Sequence, residues 1–379
     1  MYSSLLVSGQ TLNYCIILFS IASLGSILQI FGGNWDVTSH LLLKPETFFT
    51  PSHTLLYGGI LLLLISTLVS IYLLARHKEI KKDPLYFCFK MLIVGSALSI
   101  ISGPSDFVWH EVFGVDGFLS PTHLLLITGM LINSIGTVLG LIRVNSFLKS
   151  RSLYALNHLF LVFGLIALWL HLISYVYIFA LPISNGEVFN FNLNPVLESF
   201  MALIFLPVIN SFMVLLTLNT IKKFGYVSLV GIGLILLISF SNIVPSQELS
   251  IFLPYYLISV VPFIVIDILV YEKLRFFKDK SNSKNKLIYA GTIAGSIFYL
   301  IGYPLLPLTL GNNLMPIDLS EFEFNTLVDV LPVFMNSLSD VLPFTIIIGA
   351  IIGLIATLFF NRTKIIQKII FKNGSSKLT

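Results

Sequence analysis

Long apolar runs separated by short polar breaks set the pattern of this chain from end to end. Ten runs stand out, near 11–31, 53–75, 85–103, 122–142, 153–181, 196–220, 226–244, 251–272, 287–306 and 343–361. Each exceeds the roughly 18 residues that a helix needs to cross a hydrocarbon core. In lipid the backbone must satisfy its own hydrogen bonds, so such runs are helices rather than open strands. The pattern predicts an all-α polytopic membrane protein of about ten transmembrane helices, arranged as five in-out-in hairpins. The first run is too long and too lightly flanked by positive charge for a cleaved leader, and is expected to be retained.

Composition agrees: 56% of residues are hydrophobic and 11% charged, with mean hydropathy +0.93, against about 25% charged in soluble domains. Charge then orients the chain. All but Lys44 of the 22 lysines and arginines fall on one side of the predicted spans, and 13 of the 18 acidic residues fall outside or in the outer half. The positive-inside rule makes the basic side cytoplasmic, with both termini inside a cell membrane. The net charge of +4 averages these two faces. It therefore says little about partners; the apolar spans imply the lipid bilayer, and nothing points to nucleic acid. Cys15 and Cys88 both lie inside predicted spans and suit neither a disulfide framework nor a soft-metal site.

Two hairpins repeat. Residues 36–59, DVTSHLLLKPETFFTPSHTLLYGG, align without a gap on 106–129, DFVWHEVFGVDGFLSPTHLLLITG, at an offset of 70. Asp, His, Phe, Pro, His, Leu, Leu and Gly coincide, and Thr50/Ser120 and Ser52/Thr122 are conservative pairs. We read this as an internal duplication. It places a four-helix module with two Asp/His/His hairpins at 1–150 and a six-helix module of unassigned role at 151–379, with a polar linker near 274–286.

The duplicated residues carry the candidate chemistry. Asp36 and His40, like Asp106 and His110, are four apart and share one helix face. Thr50 and Ser120 are expected N-caps, with Pro51 and Pro121 at the first helical position. His53 and His123 then sit in the first turn of the next helix. Each hairpin thus brings one carboxylate and two imidazoles to the same depth. Two His and one carboxylate suit divalent transition metals, and three protein ligands leave coordination positions open. The plainer reading is a loop that carries Asp and His because it meets water; repetition in register argues against it. Glu46, Glu111 and Asp116 differ between the copies and rank as neighbours of the ligands. His171, alone on an apolar helix, is either a core histidine or an accessory group.

The string D-x3-H followed by F-T-P-S-H, from Asp36 and His40 to His53, resembles the copper-binding hairpin of the C subunit in the membrane-bound copper monooxygenases, the particulate methane and ammonia monooxygenases. The likeness covers roughly residues 30–145. It implies copper at Asp36, His40 and His53, and a second site with His110 and His123 at its core. The family opens that second site with Asn where this chain has Asp106, and its final histidine here lies one residue closer. Six further spans have no counterpart in that family.

Three classes of function follow. The first is a copper-binding protein related to the monooxygenase C subunit, with oxygen-dependent oxidation of a small substrate at the outer leaflet. Its partners would be other monooxygenase subunits or a second copy of the chain. The second is a zinc-dependent membrane hydrolase using Glu46 or Glu111 as general base. The third is a membrane metal transporter or handling protein.

Overall fold

The computed structural model describes residues 9–41, 44, 47–114, 119–148, 150–180, 195–271, 283–297 and 330–371. These form helices and turns, with no strand among the described residues. The helices are α1 (Gly9–Leu41), α2 (Pro51–Arg76), α3 (Leu85–Phe113), α4 (Pro121–Asn145), α5 (Arg151–Ala180), α6 (Pro195–Thr220), α7 (Tyr226–Ile243), α8 (Leu253–Ile258), α9 (Val261–Val270), α10 (Ser283–Ser296), α11 (Val330–Thr363) and α12 (Ile365–Phe371). Among the described residues, nine segments are long and apolar enough to cross a membrane. The protein is an all-α, multi-pass membrane protein. The expected run at 287–306 is described only as far as 297, and most of the polar linker near 274–286 lies outside the described residues.

The run at 251–272 is broken. A 3-10 turn, Gln247–Phe252, leads into α8, and α9 restarts after Ser259 and Val260. Pro254 and Pro262 sit in the first turns of the two helices, where a missing N–H costs nothing. Elsewhere helices run past the apolar pattern. α1 and α3 continue ten residues beyond the predicted ends at 31 and 103, so Asp36 and Asp106 sit on helix, as their spacing to His40 and His110 implies. Hydropathy stops at the first polar residues; the backbone does not, because these side chains find partners on the next helix.

The duplication extends into the packing. α1 lies against α2 and α3 against α4, and each pair crosses glycine on glycine. A Cβ added to Gly25 would meet the Gly59 carbonyl at 2.9 Å, and one on Gly59 would meet the Gly25 carbonyl at 2.6 Å. At the same offset of 70, a Cβ on Gly95 would meet the Gly129 carbonyl at 2.7 Å, and the reverse contact is 2.8 Å. Backbones this close replace the hydrophobic driving force that lipid does not supply between helices.

At the opposite end of these hairpins, Asp83 and Arg143 form a buried two-pronged pair at 3.1 and 2.6 Å, and Asp83 also accepts the Leu85 N–H. This pins the α2–α3 turn to the end of α4. α5 then packs on α1, α4, α6 and α7. Its Trp169 indole donates to Asn210 of α6 at 2.8 Å. Asn242 of α7 accepts from Thr38 of α1 at 3.0 Å and donates to Tyr256 of α8 at 2.7 Å. Buried polar side chains thus bond across helices rather than facing lipid.

Two stability predictions follow from these contacts. Gly59→Val should destabilise the fold by about 1–3 kcal/mol or more, since it forces one backbone off another. Gly58→Ala, whose added Cβ meets nothing within 4 Å, should leave the melting temperature in detergent unchanged. Arg143→Ala strands a buried carboxylate and should cost about 3–5 kcal/mol, while the double change Asp83→Leu/Arg143→Met should recover most of it in the same thermal assay.

Candidate metal centre

The second hairpin shows how the sequence builds the cluster. Ser120 is extended (φ −109°, ψ 159°), and its Oγ accepts the His123 N–H at 3.1 Å. Pro121 follows at the first helical position, as expected. The cap fixes His123 in the opening turn of α4. Beside it, the Thr122 hydroxyl donates to Asp106 Oδ1 at 2.6 Å.

The other two members come from α3, one turn apart. That helix ends at Gly114 with φ 74° and ψ −171°, a left-handed position that glycine adopts without strain. The turn lets the Gly114 carbonyl accept from His110 Nδ1 at 3.1 Å. A carbonyl only accepts, so Nδ1 carries a proton, and in the neutral ring this leaves Nε2 with the lone pair that a metal needs. His110 Nε2 lies 3.5 Å from Asp106 Oδ2, and His123 Nε2 lies 3.2 Å from Asp106 Oδ1. One ligand atom from each of the three residues falls within 4.8 Å of the others. A tetrahedral metal with bonds of about 2.0–2.1 Å has ligand atoms about 3.4 Å apart, so this group could hold a metal ion with little movement.

The first hairpin repeats much of this. Ser52, in register with Thr122, donates to Asp36 Oδ1 at 2.9 Å. His53 Nε2 lies 3.2 Å from the same oxygen, and His53 Nδ1 donates to the Thr47 carbonyl at 3.0 Å. Thr50 differs from the expectation: its hydroxyl makes no cap bond, although it lies 3.2 Å from Ser52 Oγ much as Ser120 Oγ lies 3.0 Å from Thr122 Oγ1. Its φ is −55°, against −109° for Ser120. His40 sits on α1 one turn beyond Asp36, but its side chain lies outside the described residues, as do Glu46 and Asp116.

Both hairpins open into one cavity of about 320 Å³, lined by Asp36 and His53 from the first and by Asp106, His110 and His123 from the second. Glu111 also lines it, whereas His171 does not. His171 is fully buried, with Nδ1 donating to the Ala167 carbonyl at 2.7 Å, the arrangement of a core histidine. At the turn level, Phe48 reaches over from the first hairpin and meets the ring edge of Phe107 on α3, with centroids 5.5 Å apart. Phe48 also lies 5.0 Å from Tyr57, which stacks on His53.

Set against known proteins, the chain matches no family model, no curated protein and no solved structure.

Sequence reasoning misses several contributors. Ser52 and Thr122 stand in register as a conservative pair, which is the available signal for their shared role on the carboxylates. Gly114 leaves only the cue of a glycine after a helix end. Its counterpart at the same offset is Lys44, whose ammonium bonds instead to the Pro245 carbonyl beyond α7. For a metal held at Asp106, His110 and His123, Thr122→Val is expected to weaken affinity about 10–100-fold. Competition against a coloured chelator measures this, with helical circular dichroism unchanged.

Proposed function

We propose that this protein is an integral-membrane metal protein in which Asp106, His110 and His123 hold one divalent transition metal. Copper is the metal that the resemblance names. The reading that follows is a membrane copper protein related to the monooxygenase C subunit, working in oxygen-dependent oxidation of a small substrate. The observation that carries the metal is the convergence of two imidazole Nε2 atoms on one carboxylate at spacings a metal would bridge. The ligand types suit copper, zinc, iron and nickel, and three protein ligands leave room for a further one.

In this reading each residue has a defined task. Asp106 supplies the negative charge that offsets the cation. Gly114 and Thr122 fix the directions of His110 and of the carboxylate. Asp36 and His53, with His40, form the second site on the same cavity. Copper, when bound, supplies one-electron redox chemistry. The charge distribution supports a cluster on the outer face of a cell membrane with both termini inside. The complex would contain other monooxygenase subunits or a second copy of the chain.

Glu111 supports the zinc hydrolase as a second reading, because it lines the cavity next to His110 and offers a general base. Metal content separates the two. Protein purified in detergent without added metal is expected to carry stoichiometric copper that falls by at least one equivalent in His123→Ala. Stoichiometric zinc would replace copper oxidation with the hydrolase. No metal, even after reconstitution with copper, would overturn both.

A further inference from the structure

The cavity has a polar end and an apolar end, and the helices give it a length. Its upper layer holds Asp36, His53, Asp106, His110 and His123, with Thr47, Phe48 and Gly114 contributed by the turns. On α1 the lining continues inward through Gly33 to Ile30, six residues before Asp36. On α4 it continues through Leu126 and Ile127 to Met130, seven residues after His123. At 1.5 Å of rise per residue the cavity therefore runs about 10 Å down the bundle. Leu56 of α2 and Ile178 of α5 close its sides. Of the polar groups in this inner part, the Ser174 hydroxyl donates to Asn34 Oδ1 at 3.4 Å, and the walls around them are mainly apolar. Walls of this kind offer water few partners.

We infer that the cavity takes one single-chain amphiphile end-on, with a polar, metal-coordinating head in the Asp–His layer and an unbranched apolar tail reaching Met130. Recognition of the head rests on the proposed metal, whereas recognition of the tail rests on the cavity alone. A compact apolar molecule would leave the charged layer unused, and a wholly polar one would strip water from itself against Ile30, Ile127 and Met130. The amphiphile matches both ends. Its volume class is the small-ligand end of the range for binding cavities, which begins at about 300 Å³.

Gly33 is the position at which to test this. A Cβ there would meet Leu56 Cδ1 at 3.6 Å and Met130 Cε at 3.8 Å, ordinary contacts with two walls of the inner cavity. Its neighbour Gly32 differs, since a Cβ there would strike the Leu56 backbone N at 2.6 Å. Gly33→Leu therefore starts from a Cβ that meets side chains at ordinary distances and builds into the tail region.

The probes are acetohydroxamate and octanohydroxamate, which share a chelating head and differ in tail, titrated into the metal-loaded protein in phosphatidylcholine nanodiscs. Wild type is expected to bind octanohydroxamate at least about tenfold more tightly, and Gly33→Leu should bring the ratio close to one. Equal affinities in wild type, or a ratio unchanged in Gly33→Leu, would overturn the inference. A second measurement stands apart from folding of the variant and from the metal. Octanol with a terminal diazirine, photolysed on chelator-treated wild type, should label Ile30, Ile127 or Met130. Labelling confined to exposed positions such as Leu68 would overturn the tail pocket. Labelling at Met130 in a protein that takes up no metal would retain the tail pocket while the metal reading fails.

Discussion

Gly59 meets α1 beside Gln29, where an added Cβ would lie 2.6 Å from the Gln29 amide nitrogen. That contact pairs a position seven residues before Asp36 with one six residues after His53. Gly129 meets α3 beside Ser99 in the same way, at 2.9 Å from its amide, seven residues before Asp106 and six after His123. Two helices locked at such a point rise together, so the carboxylate at the end of one and the imidazole at the start of the next arrive at one level. The hairpin turns need only bridge the gap. Side chains larger than hydrogen at these crossings would part the helices and separate the pairs above them.

Once at one level, the groups satisfy one another. A carboxylate near the end of a membrane-spanning helix is costly without partners. Asp106 has the Thr122 hydroxyl and two imidazoles, and Asp36 has the Ser52 hydroxyl and His53. The imidazoles are held in turn by backbone carbonyls, Gly114 for His110 and Thr47 for His53. Each layer of contacts constrains the one inside it, which is the condition for binding a cation without large rearrangement. The copies then diverge where one is tied into the later helices: Lys44 reaches Pro245, while Gly114 ends its helix and orients a ligand.

Much of this is legible in the sequence. Apolar runs mark the helices because lipid leaves the backbone no other choice, and the offset of 70 exposes the Asp, His and Pro positions of both hairpins. The crossing glycines at 25 and 95 share that offset but lie in stretches too uniformly apolar to draw notice. Hydropathy misplaces the ends of α1 and α3, since it reports the solvent of a side chain and not the continuity of the backbone. Nothing in the spacing could show that the two hairpins face a single cavity. That depends on how α1–α2 sits against α3–α4 and on Phe48 reaching Phe107, contacts set by tertiary packing alone.

X-ray absorption at the copper edge, on protein loaded with one equivalent of copper, tests the central claim most directly. The account predicts imidazole nitrogens at about 2.0 Å with the multiple-scattering signature of two histidines. His110→Ala and His123→Ala should each remove one of them. A first shell of oxygens alone, or a spectrum unchanged in both variants, would contradict it.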